Sequence, residues 1–162
     1  MKKIKWKVLI YSFAAVFSIA FFGMLAIGNN ADSSWYNSIK PSITPPNWVF
    51  PVVWNILFLF IACSLYLSWT AKVKNKKEAK KNHRRIIVAF AVNLFLNILW
   101  SFLFFTIQSP VLSFFELIIF EFSIFAMIFI TYRIRKSAAY IIVPYGAWVL
   151  FAGILNYLIA FS

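Results

Sequence analysis

Three sets of residues in this chain combine types and spacing that could do chemistry. Pro51, Trp54, Asn55 and Phe58 form one set, Asn93, Asn97 and Trp100 a second, and Tyr145, Trp148, Ala152, Leu155 and Asn156 a third. At about 100° per helical residue, each set falls on one face of its helix. An indole beside an amide can stack on a flat apolar molecule and orient it. The same groups can equally hold helices together, because an amide surrounded by lipid needs a partner. Both readings stay open on spacing alone.

Glu116 and Glu121 are the only carboxylates inside a long apolar stretch. An ionisable group there suggests proton handling or a cation site. Five residues separate the two by about 140° around a helix, which disfavours a shared two-carboxylate site. Glu116 is expected to reach water near the end of its segment, with Glu121 deeper. His83, beside Arg84 in a basic stretch, is expected to be solvated. Cys63 has no second cysteine to pair with and is expected to pack. No Gly-rich phosphate loop, Ser/His/Asp set or His/Cys metal spacing is present, so neither a metal nor a required cofactor is expected.

These residues need a frame, and composition dictates it. Of 162 residues, 63% are hydrophobic and 12% charged, too apolar for a domain whose surface meets water. Five uncharged or nearly uncharged stretches reach the roughly 20 residues that a bilayer core requires. They predict an all-α integral membrane bundle of five transmembrane helices, near 8–28, 48–70, 86–107, 111–132 and 138–161, in one domain. A membrane strand would be about ten residues long and would alternate apolar with polar, which these stretches do not.

The net charge of +12 is concentrated on one side of this topology. Lys2, Lys3, Lys5 and Lys7 precede span one, eight bases from Lys72 to Arg85 lie between spans two and three, and Arg133, Arg135 and Lys136 lie between four and five. Only Lys40 falls opposite. The asymmetry predicts a cytoplasmic N-terminus and an external C-terminus. Membrane lipids with anionic headgroups are the expected partners of these bases. Nucleic acid is not, because the middle basic stretch has no aromatics for base stacking. Span one is longer than a signal-peptide core and lacks an Ala-x-Ala site, so it is expected to be retained.

Between spans one and two lies NNADSSWYNSIKPSITPPNW, with Trp35, Tyr36, Trp48 and three prolines. Pro41, Pro45 and Pro46 stiffen it. Its aromatics suit either an interfacial belt or the lid of a pocket. Pro51, in the first turn of span two, reads as a helix start.

The string Trp35-Tyr36, Lys40-Pro41, Pro45-Pro46-Asn47-Trp48-Val49-Phe50-Pro51 and Trp54 resembles the signature of the translocator protein family, also called tryptophan-rich sensory proteins or peripheral benzodiazepine receptors. Asn97, Trp100 and the run from Pro144-Tyr145 through Trp148, Ala152, Leu155, Asn156 and Tyr157 match in order. The resemblance implies a membrane receptor or sensor that takes porphyrins such as protoporphyrin IX, or other flat apolar ligands, in a pocket at the outer end of the bundle. On that reading Trp54, Asn97, Trp100, Tyr145, Trp148, Ala152 and Leu155 would bind ligand. Trp35, Tyr36 and Trp48 would lie in or under a lid formed by 29–47. The family also implies an alternative, light-dependent porphyrin degradation with Trp54 and Trp148 as redox candidates; a further alternative is transport, for which Glu116 and Glu121 would be the coupling residues. A bacterial plasma membrane and a homodimer are further expectations, although Gly146 and Gly153 at spacing seven make no GxxxG motif. Leu155 and Tyr157 are followed by no base, so cholesterol binding is not expected. Ser42 stands where the family usually has a tryptophan, which would loosen the lid.

Overall fold

The computed structural model describes residues 4–161 and is helical, with no strand among the described residues. Lys2 and Lys3 lie outside them. The elements are α1 (Trp6–Ile27), a 3-10 turn (Asn30–Asp32), α2 (Ser34–Ile39), α3 (Val49–Trp69), α4 (Lys76–Ser101), α5 (Pro110–Ile134), α6 (Lys136–Ile141) and α7 (Val143–Phe161). Between α4 and α5, α4 runs on as a π-helical turn, Phe102–Thr106. Five helical stretches are long and apolar enough to cross a membrane, the last made of α6 and α7 together.

Local chemistry accounts for the helix ends. Pro51 and Pro110 occupy first turns, where a missing N–H removes no helical bond. Asn75 caps α4, its Oδ1 accepting the Glu78 N–H at 2.9 Å, while Glu78 Oε2 accepts the Lys74 N–H at 3.2 Å. With that cap the third helix begins at Lys76, ten residues ahead of the start near 86 expected for the third span. Lysine, arginine, alanine and glutamate are good helix formers, so once capped the basic stretch from Lys76 becomes the first turns of α4. Span five breaks at Ile142 just ahead of Pro144, whose ring opposes a helix running straight through.

α5 lies between α4 and α7, while α1 packs on α3 and α4, and α3 packs on α6. The approach of α7 to α5 is close at Gly153, where a Cβ would stand 3.0 Å from Leu117 Cδ2. This glycine therefore serves packing within the chain.

The end of the bundle carrying the Lys/Arg clusters, hereafter the basic end, is densely filled. Ile61, Ile86, Ile124, Met127 and Ile142 are completely buried there. Asn93 ties three helices together: its Nδ2 donates to Ser123 Oγ of α5 at 2.8 Å, and its Oδ1 accepts from the Tyr145 hydroxyl of α7 at 3.0 Å. His83 is not the solvated residue its sequence neighbours suggest. Its ring stacks on Trp69 at 4.0 Å with the planes 1° apart, and its Nε2 lies 3.2 Å from the Trp69 carbonyl oxygen. It joins α3 to α4.

The opposite end, bearing residues 28–48, is the cap end. Here the helices spread. The π turn marks the change: Ile107 N–H donates to Phe102 O at 2.9 Å, an i to i−5 bond that widens the helix. As a result the adjacent Phe104 and Phe105 are both buried.

Candidate functional site

The spreading leaves a cavity of about 680 Å³ beneath the cap. That volume lies within the range of about 300–1,000 Å³ usual for small-molecule sites. Four helices and the cap build it, and α5 contributes nothing to its lining.

From α3 come Trp54 and Phe58, with ring centroids 5.6 Å apart, together with Pro51 and Asn55. Trp54 also meets Tyr145 edge-on at 6.2 Å. From α4 and its π turn come Asn97, Trp100, Phe104 and Phe105. Trp100 and Phe104 stack at 5.4 Å with planes 21° apart. From α7 come Ala152, Leu155, Asn156 and Ile159.

The amides on these walls differ in how they are engaged. Asn156 is a three-way tie: its Oδ1 accepts the Trp100 indole N–H at 3.1 Å and its Nδ2 donates to the Pro110 carbonyl at 2.8 Å. Those bonds fix the plane of Trp100 as well as the helices. Asn97 is buried at 4% exposure; its side-chain amide faces the cavity and lies near the Tyr145 hydroxyl, which donates to Asn93. Its Oδ1 lies 4.0 Å from where a Gly23 Cβ would be. An amide with open bonding capacity at an apolar wall can orient a polar edge of a ligand.

The cap closes one end. Ser33 accepts the Tyr36 N–H at 3.2 Å and starts α2. Tyr36 then sits edge-on to Phe104 and Phe105 at 6.1 and 5.8 Å. Burial raises the Tyr36 phenol above its ordinary pKa, so it remains neutral. Asn47 Nδ2 donates to Asp32 Oδ1 at 2.6 Å, pinning the two ends of the cap segment together.

Of the residues singled out in the sequence, Tyr36, Trp48, Trp54, Asn97, Trp100, Ala152 and Leu155 line this cavity. Three others do not. Trp35 packs edge-on against Phe104 within the cap. Tyr145 is fully buried beneath Trp54. Trp148 packs against Phe50 and Phe151, and its indole N–H is sealed without a partner among the described residues. Glu116 and Glu121 also lie away from the cavity, at 7% and 6% exposure, with none of their carboxyl oxygens hydrogen-bonded among the described residues. The expectation that Glu116 reaches water is thereby corrected: α5 is sandwiched between α4 and α7, so a residue on its inner faces is covered whatever its depth.

Sequence reasoning missed the whole α1 wall, formed by Phe17, Ala20, Phe21, Gly23, Met24 and Ile27. α1 is apolar on every side, so polarity marks no face, and Gly23 is the one signal that could have pointed to a close approach. Phe104 and Phe105 were missed because an α-helical count cannot foresee a π turn.

The model describing the TspO/MBR family matches residues 11–161. A tryptophan-rich protein TspO from Archaeoglobus fulgidus is 34% identical over 152 residues, covering 93% of this chain and 94% of that protein. A protein of the same name from Chlorobaculum tepidum is 37% identical over 129 residues, 78% of each chain. The translocator protein of Bos taurus is 30% identical over 124 residues, 76% of this chain and 71% of that one.

Proposed function

The chain belongs to the TspO/MBR family, and from that premise we propose that it is a membrane receptor or sensor-type protein whose cap-end cavity binds a porphyrin such as protoporphyrin IX, or a related flat apolar ligand. The observation that carries this reading is the hollow itself: about 680 Å³ faced by Trp48, Trp54 and Trp100, with the Asn97 amide on its wall. Indole faces at its walls suit an extended ring system, and Asn97 suits a polar substituent on its edge. In this proposal the basic end faces the cytoplasm of a bacterial plasma membrane, where its lysines and arginines meet anionic headgroups, and the cap faces outward.

Binding is favoured over the two alternatives by where the candidate residues stand. Trp54 lines the cavity but Trp148 does not, so a pair of indole redox partners on the ligand is not assembled. Glu116 and Glu121 are on the one spanning helix that does not touch the cavity, which argues against their coupling to a ligand there.

Titration of the purified protein in detergent with protoporphyrin IX tests the reading. The porphyrin's own absorption band should shift saturably, and the shift should weaken when Trp54→Ala and Trp100→Ala are combined. A linear, unsaturable response, or saturation indifferent to both substitutions, would overturn it.

A further inference from the structure

The cavity is closed at the cap but not along the side of the bundle. On α1, Phe13, Phe17, Phe21 and Met24 occupy an arc of about 80° at 100° per residue, and on α3 Phe58, Pro51, Ala62 and Asn55 occupy one of about 60°, with Trp48 just ahead of the helix at its N-cap. These are the faces the two helices turn toward each other. Near the basic end they meet: Phe17 and Phe58 have ring centroids 6.4 Å apart, Ala62 is fully buried, and the Lys5 N–H reaches the Tyr66 hydroxyl at 3.3 Å. One to two turns nearer the cap the same faces are uncovered. Phe21 is 53% exposed, Met24 59% and Trp48 68%, and all three line the cavity. Pro51 and Asn55, opposite them, are exposed and also line it.

The gap is therefore bounded by the Phe17–Phe58 contact on one side and the cap on the other. Its rim is mostly apolar. Asn55 meets the need of its own amide within α3, donating Nδ2 to the Pro51 carbonyl at 2.8 Å. In a bilayer Phe21 and Asn55, between one and two turns inside their helix ends, face lipid tails rather than water. Passage through the cap would instead require separating Tyr36 from Phe104 and Phe105 and breaking the Asn47–Asp32 bond.

We infer that the ligand enters and leaves sideways, between α1 and α3, from the lipid leaflet on the cap side, so that the site selects flat molecules that first dissolve in the bilayer. The inference rests on the binding reading above and adds the route and the solubility class of the ligand. Along this path an apolar ring system never crosses water, and the cap acts as a fixed roof.

The test is kinetic, in proteoliposomes loaded through donor vesicles carrying protoporphyrin IX, with binding followed by the porphyrin's emission. Met24→Trp narrows the gap and Phe21→Ala widens it. Association and dissociation should both slow, by about tenfold, in the first variant and both quicken in the second, since a barrier on the path acts on both directions. At fixed total ligand, raising the lipid content should slow association by diluting the porphyrin within the membrane. If equilibrium binding is saturable but neither variant changes the rates, the route is wrong and the binding reading survives. If no saturable binding is reached after full equilibration in the unsubstituted protein, both fall.

Discussion

Asn93 and Asn97 lie one turn apart on α4, and the two regions they belong to are built on opposite principles. Around Asn93 every polar group of the amide is used, by Ser123 and Tyr145, and neighbouring side chains close the space completely. Around Asn97 the amide approaches only the Tyr145 hydroxyl, and a hollow adjoins it. The first arrangement makes a polar group into an interhelical tie. The second leaves an amide edge facing open space. The difference arises from the partners: α5 and α7 bring Ser123 and Tyr145 onto Asn93, whereas α1 presents to Asn97 only Gly23, which has no side chain to bond it.

The largest effect expected from breaking this contrast is on the hollow side. Replacing Trp54 and Trp100 together by alanine removes two aromatic walls, at about 1 kcal/mol of stacking each, and should weaken porphyrin binding roughly 30-fold. Trp148→Ala, on a ring that packs on Phe50 outside the cavity, should change affinity by less than about threefold. Equal losses in the two experiments would mean that the ligand reaches behind α3.

On the dry side, Asn93→Ala strands the Tyr145 hydroxyl and removes both ties. A loss of about 1–2 kcal/mol is expected, read as a lower unfolding temperature in detergent, with ligand affinity nearly unchanged. Asn97→Ala should show the reverse: thermal stability held, and affinity reduced by about 1 kcal/mol, roughly fivefold. A matching stability loss for both variants would erase the distinction between tie and contact.

Smaller still is Asn47→Ala, which unpins the cap from Asp32. It should cost about 0.5–1 kcal/mol of stability and loosen the cap segment, measured as faster amide exchange across residues 30–40. Thr106→Val, which loses the Oγ1 bond to the Ala26 carbonyl at 2.7 Å, should be the mildest, a few tenths of a kcal/mol in the same unfolding assay.

How far the sequence was legible follows from the same contrast. The helix faces carrying Trp54, Asn97, Trp100, Ala152 and Leu155 were readable because a polar or aromatic residue recurring every three to four positions in an apolar stretch marks a face. Tyr145 and Trp148 share the face of Ala152 by that count, yet one lies beneath the cavity floor and the other beside α3. Depth along a helix cannot be separated from orientation until the neighbouring helices are placed. The basic stretch before Arg85 is helical because of the Asn75 cap and the strong helix formers that follow it, and a count of apolar residues detects neither.

Length, apolarity and the clustering of bases by themselves determined a membrane bundle, because each helix must satisfy its own backbone in lipid and can do so from local sequence alone. The proline-stiffened segment between the first two spans was legible for the same reason, since the ring restricts φ wherever it stands. What only the tertiary structure decided is which inward face meets a partner and which meets a void. A helical period tells a residue which way to point, and the spacing between α1, α3, α4 and α7 then determines whether anything stands opposite it.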